Sequence, residues 1–171
     1  MLIKTIFHVL ILATLLAVSC NSGRPAQSPT STVQLSERLD KIKMTDLKGR
    51  PLTLHNLTGK PVFLNFWATW CGPCVSEMRS IEAVYQQFKN DIVFLAVSNE
   101  EPAKIRSFLD RHKFSFEFAR LEIAYIDAYI VTMPTTMLID AGGNLIAEEE
   151  GFREWTQFNN LEKLKALAKG K

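Results

Sequence analysis

Cysteine is scarce. Three residues in 171 are too few to staple a small disulfide-rich scaffold. Charge of one sign is lacking as well: twenty Lys and Arg face eighteen Asp and Glu, for a formal net charge of +2. No strong field is available to gather nucleic acid, and none is expected as a partner. Eight Gly and seven Pro are too few for a collagen or a low-complexity chain, and no internal repeat occurs. What is there is ordinary: 47% hydrophobic and 22% charged residues, the composition of a globular domain and not of a disordered chain or a coiled coil.

The first residues read as an address. Lys4 and the amino terminus make a short positive region. Residues 6–18 form an apolar run interrupted only by His8 and Thr14, which suits a secretory segment and is short for a membrane span. Ala17-Val18-Ser19 then leads into Cys20. The arrangement resembles a bacterial lipobox, which implies acylation of Cys20 and a membrane anchor through the lipid. An ordinary signal peptide with Cys20 beside the cut is the alternative. Ala17 departs from the usual Leu three residues before the cysteine. Acylation would also account for the odd thiol. Residues 21–34 are rich in Ser, Thr, Pro and Gly with almost no large apolar groups, so they read as a tether. The expected division is a signal peptide at 1–19, the lipidated cysteine and a flexible linker at 20–37, and a folded domain at 38–171. The location implied is the bacterial cell envelope, on its extracytoplasmic side. Asn21 leaves inner and outer membrane undecided.

Within the folded part, strands and helices alternate. Residues 41–45 and 52–55 flank a Gly-containing turn and predict a hairpin. Residues 61–67 are almost continuously apolar, as in a strand covered on both faces. The spacing then becomes helical through Val75, Met78, Ile81, Val84 and Phe88, with Pro73 suited to a first helical turn. Residues 92–97 read as a second buried strand. A helix follows, with Ile105, Phe108, Leu109 and His112 on one face. Strict alternation predicts a strand at 114–118, and a short helix is expected at 122–129. Residues 135–139 and 145–149 predict a second hairpin. Phe158, Leu161, Leu164 and Ala168 define a closing helix, with Glu154 early in it and Lys169 late. This order argues for an α/β fold: a central mixed β-sheet with helices on both faces, in three layers. Right-handed crossovers put the end of the 61–67 strand and the helix after it at one sheet edge, where such folds keep their sites.

Cys71-Gly72-Pro73-Cys74 straddles that junction. Two intervening residues let the sulfurs approach bonding distance across a first helical turn. The first thiol then sits where free N–H groups and the positive helix end stabilise a thiolate, the nucleophilic form. Three other readings compete. A zinc site needs about four ligands, yet no second C-x-x-C exists and His55 and His112 stand alone, so no metal is expected. A structural disulfide closing so short a loop constrains little chain entropy. Buried thiols placed by chance would leave the export signal unexplained. C-x-x-C beside a βαβ pattern favours redox chemistry.

The stretch Phe63-Leu64-Asn65-Phe66-Trp67-Ala68-Thr69-Trp70-Cys71-Gly72-Pro73-Cys74 resembles the active-site segment of thioredoxin-like proteins, and most of all the exported TlpA/ResA-like thiol–disulfide oxidoreductases. Met133-Pro134-Thr135-Thr136 resembles that family's cis-proline segment. The length between residues 97 and 133 fits its central αβ insertion, and the hairpin at 41–57 fits its N-terminal hairpin. The resemblance covers roughly residues 38–169. It implies a Cys71–Cys74 redox disulfide, with Cys71 as attacking thiol and Cys74 as resolving thiol. It implies a cis Met133–Pro134 bond facing the disulfide, with the Met133 backbone offered to a substrate strand; a trans proline in a plain turn is the alternative. It makes Glu77 the candidate for proton handling, against the plainer reading of an acid near a helix start. Asn65 replaces the buried acid of plain thioredoxins, which strengthens the case for Glu77. Trp70 is expected to be an exposed docking surface and Trp67 to be core. Trp155 and the phenylalanines at 114, 116 and 118 are expected to be core or edge packing.

The expected activity is reduction of disulfides in exported proteins, apocytochrome c thiols among them. A membrane thiol donor would recharge the pair, and no cofactor is needed. A monomer is expected. Gly72-Pro73 resembles the reducing members more than strong oxidants, although partners also set direction. Two alternatives stay open. One is a peroxiredoxin-like peroxidase, for which Thr69 is suitably placed two residues before Cys71 but the upstream proline is missing. The other is a non-enzymatic binding lipoprotein on the same scaffold.

Overall fold

The computed structural model describes residues 38–57 and 59–170. The expected signal peptide, Cys20 and the linker to residue 37 lie outside the described residues. No helix among the described residues is long and apolar enough to cross a membrane.

The chain forms one seven-stranded sheet. In chain order the elements are β1 (Met44–Asp46), β2 (Pro51–Leu52), β3 (Val62–Phe66), α1 (Gly72–Phe88), β4 (Val93–Ser98), α2 (Pro102–Arg111), β5 (Glu117–Leu121), β6 (Thr135–Ile139), β7 (Leu145–Glu150) and α3 (Phe158–Ala168). Short 3-10 turns occupy Leu54–Leu57 and Tyr125–Ala128. The strand order is β2-β1-β5-β4-β3-β6-β7. β3, β4 and β5 run parallel, while β6, β7, β1 and β2 pair antiparallel. The sheet is therefore mixed, as its alternating strands and helices predict.

β3 lies near the middle and all five of its residues are buried, which explains the unbroken apolar run. Its side chains alternate between two cores. Phe63, with Phe94 of β4 and Leu138 of β6, meets Met78, Ile81 and Val84 of α1, Ile105 and Phe108 of α2, and Leu164 and Leu167 of α3. All three long helices thus pack on one face, not on both as the alternation suggested, because β3, β4 and β5 follow one another in the same direction across the sheet and both right-handed crossovers fall on the same side. Val62, Leu64 and Phe66 turn to the other face, where Leu39, Ile42, Ala128 and Ile130 close the core from short helical and irregular segments. Residues 38–41 are helical there.

Local chemistry explains the turns. Asp46 Oδ1 accepts the N–H groups of Lys48 (2.8 Å) and Arg50 (2.9 Å), and Asp140 Oδ1 accepts those of Gly142 (2.9 Å) and Asn144 (2.8 Å). Each Asp folds its own hairpin turn, and Gly49 (φ 86°) and Gly143 (φ 84°) supply the left-handed position.

Several boundaries differ from the periodicity. The strand expected at 114–118 is β5, Glu117–Leu121. Ladder partners exist only from there: Leu95 of β4 pairs with Glu117 and Asp46 of β1 with Ala119. The alternating rings ahead of it serve packing instead, with Phe116 and Phe118 stacked at 4.9 Å and Phe114 and Phe116 at 5.5 Å. The first hairpin is shorter than expected. Residue 41 is still helical, and β2 stops at Leu52, because Thr53 captures the N–H of Asn56 through its carbonyl and hydroxyl oxygens. Of the expected helix at 122–129 only the Tyr125–Ala128 turn forms, ended by Tyr129 at φ 59°. Glu154 precedes α3 rather than sitting in it.

Leu64 is wholly buried in the second core. Leu64→Ala is expected to cost about 3 kcal/mol of folding stability, read as a lowered urea midpoint at unchanged slope.

Candidate active site

β3 delivers the chain to residues 67–70, and α1 begins directly after Cys71, its N-cap. Cys71 has extended backbone angles (φ −86°, ψ 98°), as an N-cap requires. Pro73 sits in the first turn, where its missing N–H costs no helical bond. The Cys74 N–H donates to Cys71 Sγ at 3.2 Å. Cys71 and Cys74 form a disulfide with an S–S distance of 2.03 Å and a Cα–Cα distance of 5.3 Å. The pair anticipated in the sequence is therefore bonded in this structure. Cys71 retains 6% exposure and Cys74 only 1%, so Cys71 is the more accessible of the two. Opening the disulfide would leave Cys71 Sγ beside an N–H donor at the positive end of a 17-residue helix, the setting that favours a thiolate.

Trp70 stands next to this pair and is 67% exposed, while Trp67 is fully buried against Phe108 and Phe118. The Met133–Pro134 bond is cis. Thr135, the first residue of β6, pairs with Phe66, the last of β3. That register puts Met133 and Pro134 at the same sheet edge as the loop to Cys71. Met133 packs against the cluster that holds both cysteines.

Glu77 lies one helical turn beyond Cys74 on α1 and is 1% exposed. Its Oε1 accepts the indole N–H of Trp155, and its Oε2 has no hydrogen-bonding partner among the described residues. Burial disfavours the charged form and lifts its pKa from the ordinary 4.5 to about 7, even though Trp155, Arg153 and Asn65 pull the other way. Asn65 is buried on β3 and donates to Thr136 Oγ1 at 2.9 Å. Ser80, one turn further along α1, donates to the Glu77 carbonyl at 2.9 Å and accepts the backbone N–H of Trp155 at 3.1 Å. The segment after β7 is thereby laced to α1 at two points. Trp155 is core, as its sequence position suggested, but its bond to Glu77 had no local signal.

Among the described residues no group of three or more His, Cys, Asp or Glu could hold a metal ion. His112 stacks on Phe108 at 4.2 Å.

Residues 35–148 match the AhpC/TSA family. The chain is 36% identical over 125 residues to the thiol-disulfide oxidoreductase ResA of Halalkalibacterium halodurans, covering 71% of each. It is 30% identical over 153 residues to ResA of Bacillus cereus, covering 86% of this chain and 88% of the relative. A solved thiol:disulfide interchange protein from Bacteroides sp. superposes with a TM-score of 0.62 at 26% identity, covering 71% of this chain and 84% of that one.

The elevated Glu77 pKa makes stability pH-dependent. The unfolded chain releases this proton near 4.5 and the folded chain near 7, so the folded state binds more protons between those values. Stability from this group is full at the acid end and falls as pH rises through the window, by roughly 3 kcal/mol in total. Urea unfolding from pH 4.5 to 8 is expected to show that decline in the wild type and a flatter profile in Glu77→Gln. Parallel profiles would contradict the buried-acid assignment. Trp155→Phe removes a donor that favours the carboxylate and should move the window upward.

Proposed function

We propose, for a chain that belongs to the AhpC/TSA family and is a ResA-like protein-disulfide oxidoreductase of thioredoxin-like fold, a reducing role on disulfides of exported proteins, with Cys71 attacking and Cys74 resolving. The observation that supports it most is the asymmetric pair at the α1 N-terminus: the less deeply buried cysteine has an N–H donor against its sulfur, and its partner is buried deeper.

In the reduced enzyme the Cys71 thiolate attacks one sulfur of a substrate disulfide. A Cys71–substrate bond forms and the other substrate sulfur leaves as thiolate. Cys74 loses its proton and attacks Cys71 Sγ, releasing the second substrate thiolate and closing the Cys71–Cys74 disulfide. Two electrons have passed to the substrate. A membrane dithiol donor restores the enzyme by the reverse exchange. Glu77, with a pKa about 7 and one turn from Cys74, is matched to accept that proton at neutral pH. Trp70 offers an apolar surface and the Met133 backbone a pairing edge for the substrate chain. The N-terminal sequence supports a signal peptide at 1–19, an acylated Cys20 and a tether to 37, which would hold the domain at 38–171 as a monomer on the outer side of a bacterial membrane. Apocytochrome c thiols awaiting haem are one substrate class that fits this place.

Cys74→Ser is expected to accumulate mixed disulfides through Cys71 that dithiothreitol releases, and Cys71→Ser to accumulate none. The wild type should accelerate insulin reduction at least tenfold over dithiothreitol alone. Absence of both behaviours would remove the proposal.

A further inference from the structure

The segment between β4 and β6 carries α2 and β5, an addition whose use the sequence leaves unassigned. Both of its ends touch the loop that precedes Cys71. At one end, Glu100 lies just ahead of α2 with its side chain 7% exposed. Its Oε2 accepts the Thr69 N–H at 2.7 Å and its Oε1 the Thr69 hydroxyl at 2.8 Å. Ser98 donates to the same carboxylate at 3.1 Å, and Lys104 pairs with it at 2.6 Å. At the other end, the Tyr125 hydroxyl donates to the Trp67 carbonyl and accepts the Asn99 N–H at 3.1 Å. Trp67 itself donates to Val97 O at 3.1 Å, and Cys71 donates to Ala68 O at 3.1 Å.

Burial raises the Glu100 pKa, and the donors Lys104 and Thr69 outweigh it, so its carboxyl titrates below the ordinary range and stays charged. A charged, nearly buried group with four donors costs free energy if any partner is withdrawn. Here two of those donors belong to Thr69, two residues before Cys71.

We infer that Glu100 and Tyr125 are positioning residues: together they clamp residues 67–69 and so fix Cys71 Sγ against the Cys74 N–H at the helix start. The inference rests on the reading of Cys71 as the attacking thiol. The physical link is distance. In the disulfide form the Cys74 N–H lies 3.2 Å from Cys71 Sγ, and a thiolate released there keeps that donor only while the loop holds its geometry, because such bonds weaken steeply as their angle falls. A supporting shell that loosens by about an ångström is enough to lose that orientation. Titratable groups on the elements packed around this loop are Cys74 and Glu77 on α1, Glu100 and Lys104 around the start of α2, and Tyr125. The decisive variants therefore keep charge constant. Glu100→Asp retains the carboxylate but shortens its reach, and Tyr125→Phe removes only the hydroxyl.

The test is the pH profile of iodoacetamide alkylation at Cys71 in the reduced full chain, together with its dithiol–disulfide equilibrium against glutathione. Both variants are expected to lower the Cys71 thiolate fraction at neutral pH at least threefold, seen as an alkylation midpoint moved to higher pH, and to shift the glutathione equilibrium. Thr69→Val, which deletes one hydroxyl and keeps the N–H, should give a smaller shift in the same direction and supplies the measurement if Glu100→Asp does not fold. Variants with lowered urea midpoints but wild-type alkylation and glutathione profiles would overturn the clamp and leave only a fold-stabilising network. A wild type whose Cys71 titrates like free cysteine would instead overturn the nucleophile assignment on which the clamp acts.

Discussion

The Cys74 N–H meets the Cys71 sulfur because a buried strand ends and a helix starts within five residues, and nearly every other feature of the molecule serves that junction. β3 is covered on both faces, so its C-terminal end cannot drift. α1 is seated by Met78, Ile81 and Val84 in the larger core, so its N-terminal turn cannot rotate. Between these two fixed bodies the backbone must turn sharply. The residue at the turn becomes an N-cap whose side chain faces orphan N–H groups. A sulfur in that place is stabilised most when charged, which is the physical basis for proposing it as the attacking thiol.

Two acids near the junction have pKa values shifted in opposite directions. Glu77 is buried with one oxygen unpartnered, and its pKa is lifted to about 7. Glu100 is less deeply buried, four donors reach it, and its pKa is lowered. Burial alone does not decide the protonation of a carboxyl; the count and charge of donors do. The contrast separates their uses. Glu77 can exchange a proton near neutrality, whereas Glu100 can only hold.

Packing all three long helices on one face has a related consequence. That face holds the disulfide, Trp155 and Asn65, so it carries both the larger core and the chemistry. The opposite face is closed by short turns and the residues following the N-terminal stretch.

Much of this was readable from the chain. The apolar run of β3, the helical stripe from Val75 to Phe88 and the C-x-x-C between them locate the junction, because each depends on neighbours a few residues apart. Asp46 and Asp140 mark their turns for the same reason, and resemblance to a known family pointed to the cis bond at Pro134. Periodicity misjudged β5, since alternating rings at 114, 116 and 118 look the same whether a strand or an aromatic stack arranges them; only the position of β4 and β1 decides. The partnerships that tune the site were not readable at all. Trp155 meets Glu77 across 78 residues, Tyr125 meets Trp67 across 58, and Thr69 meets Glu100 across 31. Local sequence determines which residue can cap, turn or alternate; which distant donor reaches a buried carboxylate is set by how the sheet brings its strands together, and that was decided only in three dimensions.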